Sequence, residues 1–141
     1  MSDPLPTRWR LRALAACAVL PPLVSVMSFR RLAGLAGRAG RDSNNAPADA
    51  ALDAYVSRTL RGLPPPWRYT CLRRGIVLYH LMRRAGRSVS LNIGVRKSPT
   101  GRLQAHAWLV KDGAPYLEPD REEHRAFAII ATFPETAPAG N

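Results

Sequence analysis

The sequence predicts an α+β fold, in which N-terminal helices are followed by a long helix that packs on an antiparallel sheet. Apolar residues recur at helical spacing through most of the first 85 residues, whereas from residue 88 onward they alternate with polar residues. The length of 141 residues, with 46% hydrophobic and 22% charged residues, suits one globular domain. The same numbers exclude collagen, low-complexity disorder and a disulfide scaffold.

The N-terminal region reads as two short helices, over residues 7–20 and 23–38, which Pro21 and Pro22 separate. Three arginines precede the apolar run 13–27, and this arrangement imitates a secretory signal peptide. The prolines interrupt the run, however, and no small-residue cleavage site follows it. We therefore favour an amphipathic helix that packs on the domain or rests on a membrane surface.

The middle of the chain contains a linker and two further helices. Residues 37–47 are rich in loop-forming residue types, and residues 48–61 carry apolar side chains on one helical face. The prolines at 64–66 end that helix. The clearest helix follows over residues 71–85, and Gly86 is its natural C-terminal stop.

The last third of the chain is predicted to form an antiparallel meander. Residues 88–95 alternate strictly and form the first strand, and the turn at residues 98–101 leads into a second strand over 102–110. A hairpin returns the chain as a third strand over residues 114–119. Residues 127–133 are the fourth predicted strand.

The charge balance indicates an acidic partner. Twenty-one basic residues, of which nineteen are arginines, face ten acidic ones and give a formal net charge of +11. Residues 54–111 contain twelve basic side chains and no acidic one. These basic residues are spread over helix, turn and strand, and no helix-turn-helix, ribonucleoprotein or zinc-finger motif accompanies them. We favour a surface that docks an acidic peptide or protein over nucleic-acid binding.

Cys71 is the first candidate for chemistry. It follows Thr70, a good N-cap, and so lies at the start of the predicted helix, where free amides, the helix dipole and nearby arginines favour a thiolate. The alternative role is that of a small buried hydrophobic residue. His80 lies nine residues further on and projects from the opposite side of the same helix. Cys17 is distant in sequence, and both cysteines are expected to be free thiols.

His106 is the second candidate, and hairpin register decides its acidic neighbour. If the loop is the three residues 111–113, Glu118 lies directly opposite His106 on the same face, where a carboxylate can hold the imidazole. If the loop has only two residues, Pro119 lies opposite and Glu118 points away. Asp120 becomes the alternative carboxylate if the register shifts or a bulge intervenes.

Four short segments together match a known family, although none of them is specific alone. They are residues 66–68, 71–86, 91–96 and 105–113. Over roughly residues 52–133 the chain resembles the lasso-peptide biosynthesis B proteins, whose core is similar to papain- and transglutaminase-like cysteine proteases. This resemblance implies a peptidase that removes the leader from a ribosomally synthesised precursor peptide, a class of products known as RiPPs.

The resemblance also implies roles for individual residues. Cys71 matches the nucleophile of the family and His106 its base, and Glu118 occupies the position of the acidic third member of the catalytic triad. No metal or cofactor is expected. Because no leader-recognition module precedes the peptidase region, the protein resembles the split type, which depends on a separate recognition protein and hands its product to an ATP-dependent cyclase.

The predicted organisation is a basic helical segment with its linker over residues 1–47, a peptidase domain over 48–133 and a flexible tail over 134–141. A cytoplasmic location is expected, with peripheral membrane contact left open. The alternative function is a basic module that binds a membrane surface or nucleic acid and has a non-catalytic Cys71.

Overall fold

Four helices precede a four-stranded antiparallel sheet in the computed structural model, which describes residues 5–37, 46–65, 67, 70–118 and 126–133. The helices are α1 (Thr7–Val26), α2 (Phe29–Gly37), α3 (Asp49–Arg61) and α4 (Cys71–Arg84). The strands are β1 (Ser90–Lys97), β2 (Leu103–Lys111), β3 (Ala114–Pro115) and β4 (Ala128–Phe133). The predicted α+β class is confirmed.

Helix α1 continues through Pro21 and Pro22, so the predicted break at these residues is wrong. A proline inside a helix lacks the N–H that would bond to the carbonyl four residues earlier. For Pro22 that carbonyl belongs to Ala18, and it accepts instead the indole N–H of Trp67 at 2.9 Å. A side chain 49 positions away thus supplies a donor that the proline lacks, and the helix ends only at Val26.

The helices and the sheet share one hydrophobic core, because α1, α2 and α3 all pack against α4. Its fully buried side chains include Trp9 of α1, Leu32 of α2, Leu52 of α3, Ile76 of α4 and Leu109 of β2. Burying a side chain of this size contributes about 1.5–3 kcal/mol. Helix α4 is therefore held on several sides, which fixes the position of its first residue.

Both ends of α4 carry the predicted signals. The Thr70 hydroxyl accepts the main-chain N–H of Arg73 at 3.1 Å, which confirms the N-cap. At the other end Gly86 has a φ of 86°, and the N–H of Arg87 donates to the carbonyl of Met82 at 2.9 Å. This is the hydrogen-bond pattern with which a glycine in the left-handed region commonly ends a helix.

The sheet has the strand order β3-β2-β1-β4, so the predicted meander holds only for its first three strands. The fourth strand pairs with β1 at the opposite edge. Strand β3 is two residues long, Pro115 has no N–H, and Leu117 has a φ of 58°. The chain therefore leaves the sheet too early for β3 to pair with a further strand.

The β2–β3 hairpin has a two-residue loop, so the three-residue loop over 111–113 is wrong. Lys111 pairs directly with Ala114, and the residues between them, Asp112 and Gly113, have φ values of 53° and 80°. Positive φ at both central positions defines the type I′ turn, whose twist matches that of the flanking strands. An Asp-Gly pair is among the preferred sequences for it.

Close contact between α4 and the sheet depends on a glycine. A Cβ atom added to Gly75 would lie 3.0 Å from Cδ1 of Leu91 and 3.5 Å from Cβ of Ala107. The helix therefore rests on the face of the sheet formed by Leu91, Ala107 and Leu109. This agrees with the small size of the residues that flank His106 along β2.

A buried carboxylate ties α3 to the ends of two other elements. Asp49 begins α3 and is 8% exposed. Its two oxygens accept hydrogen bonds from the Arg87 guanidinium at 3.1 Å and from the Tyr116 hydroxyl at 2.7 Å. Burial together with the hydrogen bond to Asp49 raises the pKa of Tyr116 to about 12, so the phenol remains a donor at neutral pH.

Candidate active site

Cys71 is the first residue of α4 and is half-buried. The first N–H that bonds within the helix is that of Arg74, which donates to the carbonyl of Thr70 at 2.9 Å. The amides of Cys71 and Leu72 precede it and are not used by the helix itself. They point along the positive end of the helix dipole, where they can stabilise a developing oxyanion.

Cys17 has the opposite environment. It is 1% exposed in the core, and burial raises the pKa of its thiol to about 12. We expect a thiol reagent such as dithionitrobenzoate to modify one cysteine of the native protein at pH 7 and both after unfolding in guanidinium. In Cys71→Ala the rapid native reaction should disappear. Two equally rapid native reactions would contradict the burial of Cys17.

His106 lies near the middle of β2, on the sheet face opposite to the one that contacts α4. Its ring is stacked on Trp108, with centroids 5.6 Å apart and an interplanar angle of 24°, and lies 5.2 Å from the ring of Phe127. The Arg96 guanidinium covers the Phe127 ring at 4.6 Å. The imidazole is therefore half-buried in an aromatic cluster that restricts its orientation.

Gly94 faces His106 across the β1–β2 ladder and makes room for this cluster. A Cβ atom there would lie 2.8 Å from Cβ of Phe127 and 2.8 Å from the nearest Trp108 ring atom. We expect Gly94→Ala to lower the free energy of unfolding by about 1–3 kcal/mol, because both aromatic side chains must move. Urea denaturation measures this.

Gly34→Ala is the matched control for Gly94→Ala. Gly34 lies in α2, and nothing is within 4 Å of the position of its added Cβ. The control should be neutral or slightly stabilising, since alanine favours a helix more than glycine does. Equal effects of the two substitutions would contradict the close packing at Gly94.

The third predicted site residue, Glu118, lies in an ion network beside α4. Its Oε1 accepts a hydrogen bond from the Arg74 guanidinium at 3.2 Å and another from the main-chain N–H of Leu109 at 3.1 Å. Arg74 also donates to Asp53 at 3.0 Å and to the carbonyl of Leu117 at 2.7 Å. The side chains of Arg74 and Glu118 are each only 5% exposed.

This network gives Glu118 a structural task. Its carboxylate accepts the main-chain N–H of Leu109 at the edge of β2. In a longer β3, a main-chain carbonyl would accept this N–H instead. Because the loop has two residues, the pairing of Glu118 opposite His106 that a three-residue loop requires does not form. Pro119 and the alternative carboxylate, Asp120, lie outside the described residues.

Arg74 was not predicted as a site residue. Its position beside Gly75 on α4 gives no sign of burial, and its partners come from α3 and from the chain after β3. Among the residues that the structure describes, no hydrogen bond joins the Cys71 thiol to the His106 ring. Cys71 begins the helix that packs on one face of the sheet, whereas the His106 side chain is on the other face.

His80 is not the base, as its place on the helix predicts. Its Nδ1 lies 3.0 Å from the carbonyl of Ala36, which joins α4 to α2 on the side away from the sheet. Burial lowers the pKa of His80, the hydrogen bond to Ala36 opposes this, and the cation of Arg84 adds a smaller lowering. A carbonyl oxygen only accepts, so Nδ1 carries the proton of this hydrogen bond.

An open groove of about 580 Å³ adjoins the ion network on the α3 side. Its charged and polar lining consists of Asp53, Ser57, Arg58, Arg61 and Arg74. Arg74 is bonded to Asp53 and Glu118, so the exposed Arg58 and Arg61 give the groove its positive charge. A peptide segment with acidic side chains would fit this lining by charge.

A known family matches most of the chain. The family profile of the transglutaminase-like superfamily matches residues 11–132. The chain belongs to this superfamily. The matched range begins in α1 and ends in β4, so it contains both Cys71 and His106. No curated protein and no solved structure gives a significant match to the chain.

The transglutaminase-like superfamily includes cysteine peptidases and transferases. Both reactions begin with a cysteine thiolate that attacks a carbonyl carbon, and they differ in whether water or an amine accepts the acyl group. A thiol at the first position of a packed helix, beside unused amides, is suited to that first step.

Proposed function

We propose that the protein is a cysteine peptidase that removes the leader from a ribosomally synthesised lasso-peptide precursor. The observation that carries the proposal is the half-buried free thiol of Cys71 at the N-terminus of α4, in a chain of the transglutaminase-like superfamily. The substrate class rests on the sequence resemblance described above. The role of His106 as the base rests on the same resemblance.

In the proposed mechanism His106 accepts the proton of the Cys71 thiol. The thiolate attacks the carbonyl carbon at the end of the leader, and the amides of Cys71 and Leu72 stabilise the resulting oxyanion. Collapse of this intermediate breaks the C–N bond, and His106 gives its proton to the departing amine. Water then cleaves the thioester, which releases the leader and restores the thiol.

The proposal leaves two carboxylates for the orientation of the His106 imidazole. Glu118 matches the family position, but its Oε1 is bonded to Arg74 and to the β2 edge. Asp120 follows two residues later. A carboxylate in this role accepts the second ring N–H and stabilises the imidazolium. The orienting carboxylate is the one whose substitution lowers activity without lowering stability.

The positive charge supports a role in substrate delivery. The groove beside Arg74 exposes Arg58 and Arg61, which suit acidic side chains of a leader or of the recognition protein that carries it. We propose that the split recognition protein and the ATP-dependent cyclase are partners. Cleavage in their absence is expected to be slow.

Mass spectrometry of a cognate precursor, incubated with the protein and its recognition partner, tests the proposal. We expect one cut at the end of the leader with the wild type and with Cys17→Ala, and none with Cys71→Ala. A bound but uncut precursor with all three proteins would refute the peptidase and favour a binding module. A product joined to an added amine instead of hydrolysed would show a transferase.

A further inference from the structure

The outer face of α1 is apolar along most of its length. Leu11, Leu14, Val19 and Val26 are 63%, 43%, 55% and 76% exposed. A helix repeats every 3.6 residues, so these positions fall on one side, and the exposed alanines of α1 lie between them. From residue 13 to residue 24 the sequence has no charged, hydroxyl or amide side chain.

The inner face of the same helix is already occupied by the core. Trp9, Ala13, Ala16 and Leu20 are buried there. The inner apolar face of α1 is therefore buried in the domain, whereas the outer apolar face is in contact with solvent. Scattered exposed apolar residues are normal on a protein surface, but a continuous row of them marks an interaction site.

Positive charge lies at both ends of this outer face. Arg8, Arg10 and Arg12 lie in the first two turns of α1, and Arg30 and Arg31 begin α2 at its far end. Residues 5–37 contain no aspartate and no glutamate. The outer face thus combines an apolar row with basic residues near both ends, and anionic lipid surfaces attract basic residues beside apolar ones.

We propose that the outer face of α1 docks the protein on an anionic phospholipid bilayer, with the helix axis parallel to the membrane plane. In the described part of the chain, no helix is both long and apolar enough to span a bilayer. A symmetric dimer through this face fits less well, because it would bring five arginines of one copy close to five of the other. Anionic lipid headgroups have the opposite charge.

The test is co-sedimentation of the full chain with two kinds of phosphatidylcholine vesicle. One kind contains no phosphatidylglycerol, and the other contains about 30 to 40 mol % of it, which makes its surface anionic. We expect binding to the anionic vesicles only. The double variant Leu11→Asp/Val19→Asp should lower the partition coefficient about tenfold or more, since it places two charges in the acyl boundary.

A matched double variant controls for net charge. Leu103→Asp/Ile130→Asp changes the total charge equally, at side chains that are 70% and 63% exposed on the sheet. It should keep nearly all vesicle binding. Equal losses in both double variants would mean that the net charge alone attracts the vesicles, and would overturn the proposal. Circular dichroism and urea denaturation confirm that all variants are folded.

The depth of α1 is measured separately with brominated lipids, which quench tryptophan fluorescence in the acyl region. Leu14→Trp should be quenched on anionic vesicles, and Leu103→Trp should behave like the wild type. No extra quenching at position 14, or a dimer in light scattering that fails to bind vesicles, would overturn the proposal. Because none of these measurements involves cleavage, the proposal stands or falls independently of the peptidase function.

Discussion

Arg74→Met is expected to lower the free energy of unfolding by about 3–5 kcal/mol, the cost of removing one partner from a buried ion pair. Arg74 is almost fully buried and bonds to Glu118, Asp53 and the carbonyl of Leu117. Methionine fills similar space but supplies no donor. The Glu118 carboxylate would remain 5% exposed and would keep its bond to the Leu109 amide, but it would lose the cation. Asp53 is 25% exposed, so water can solvate its carboxylate. Losing its bond to Arg74 should therefore cost less free energy.

Double substitution separates the buried charge from general damage to the core. In Arg74→Met/Glu118→Met both buried charges are removed, so the loss should be smaller than in Arg74→Met alone. Urea denaturation of the two single variants and the double variant gives the coupling energy. A loss below about 1 kcal/mol in Arg74→Met, the size of an ordinary surface effect, would contradict the ion network.

Asp120→Asn and Glu118→Gln are expected to separate activity from stability. We expect Asp120→Asn to lower kcat/KM about 10³–10⁴-fold, the size of effect seen when the orienting carboxylate of a catalytic triad is lost. Its urea midpoint should stay close to that of the wild type. Glu118→Gln should lower the midpoint, because a neutral amide binds the Arg74 cation less strongly.

Activity of Glu118→Gln is measured at a temperature where the variant is fully folded, and most of it should remain. The opposite result is that Glu118→Gln loses activity at unchanged stability while Asp120→Asn keeps its activity. It would mean that Glu118 orients the imidazole. Circular dichroism at the assay temperature ensures that lost activity is not lost structure.

Local signals predicted α4 and the position of Cys71 at its start. The cap at Thr70, the apolar face and the stop at Gly86 all lie within the helix or beside it, so the sequence alone locates Cys71 at a helix N-terminus. Three of the four strands were predicted to within two residues for the same reason, whereas the third strand ends four residues earlier than predicted. Features fixed by neighbours in sequence are readable from sequence.

Features fixed by distant partners could not be predicted. The helix through Pro21 and Pro22 depends on packing and on Trp67, which is 49 residues from its acceptor. The burial of Arg74 depends on acceptors that lie 21 and 44 residues away. The hairpin loop is a different case, because its sequence is compatible with a loop of two or of three residues. This difference of one residue in loop length decides which residue lies opposite His106.

The most direct test of a catalytic Cys71 is its rate of alkylation by iodoacetamide between pH 5.5 and 8.5, a range about the pKa of histidine and cysteine. Peptide mapping by mass spectrometry follows Cys71, with buried Cys17 as the internal reference. The account predicts that Cys71 still reacts rapidly at pH 6, where an ordinary thiol with a pKa near 8.5 is mostly protonated. His106→Ala should slow this reaction about tenfold or more. A Cys71 that reacts like a free cysteine at every pH, equally in wild type and His106→Ala, would contradict the account.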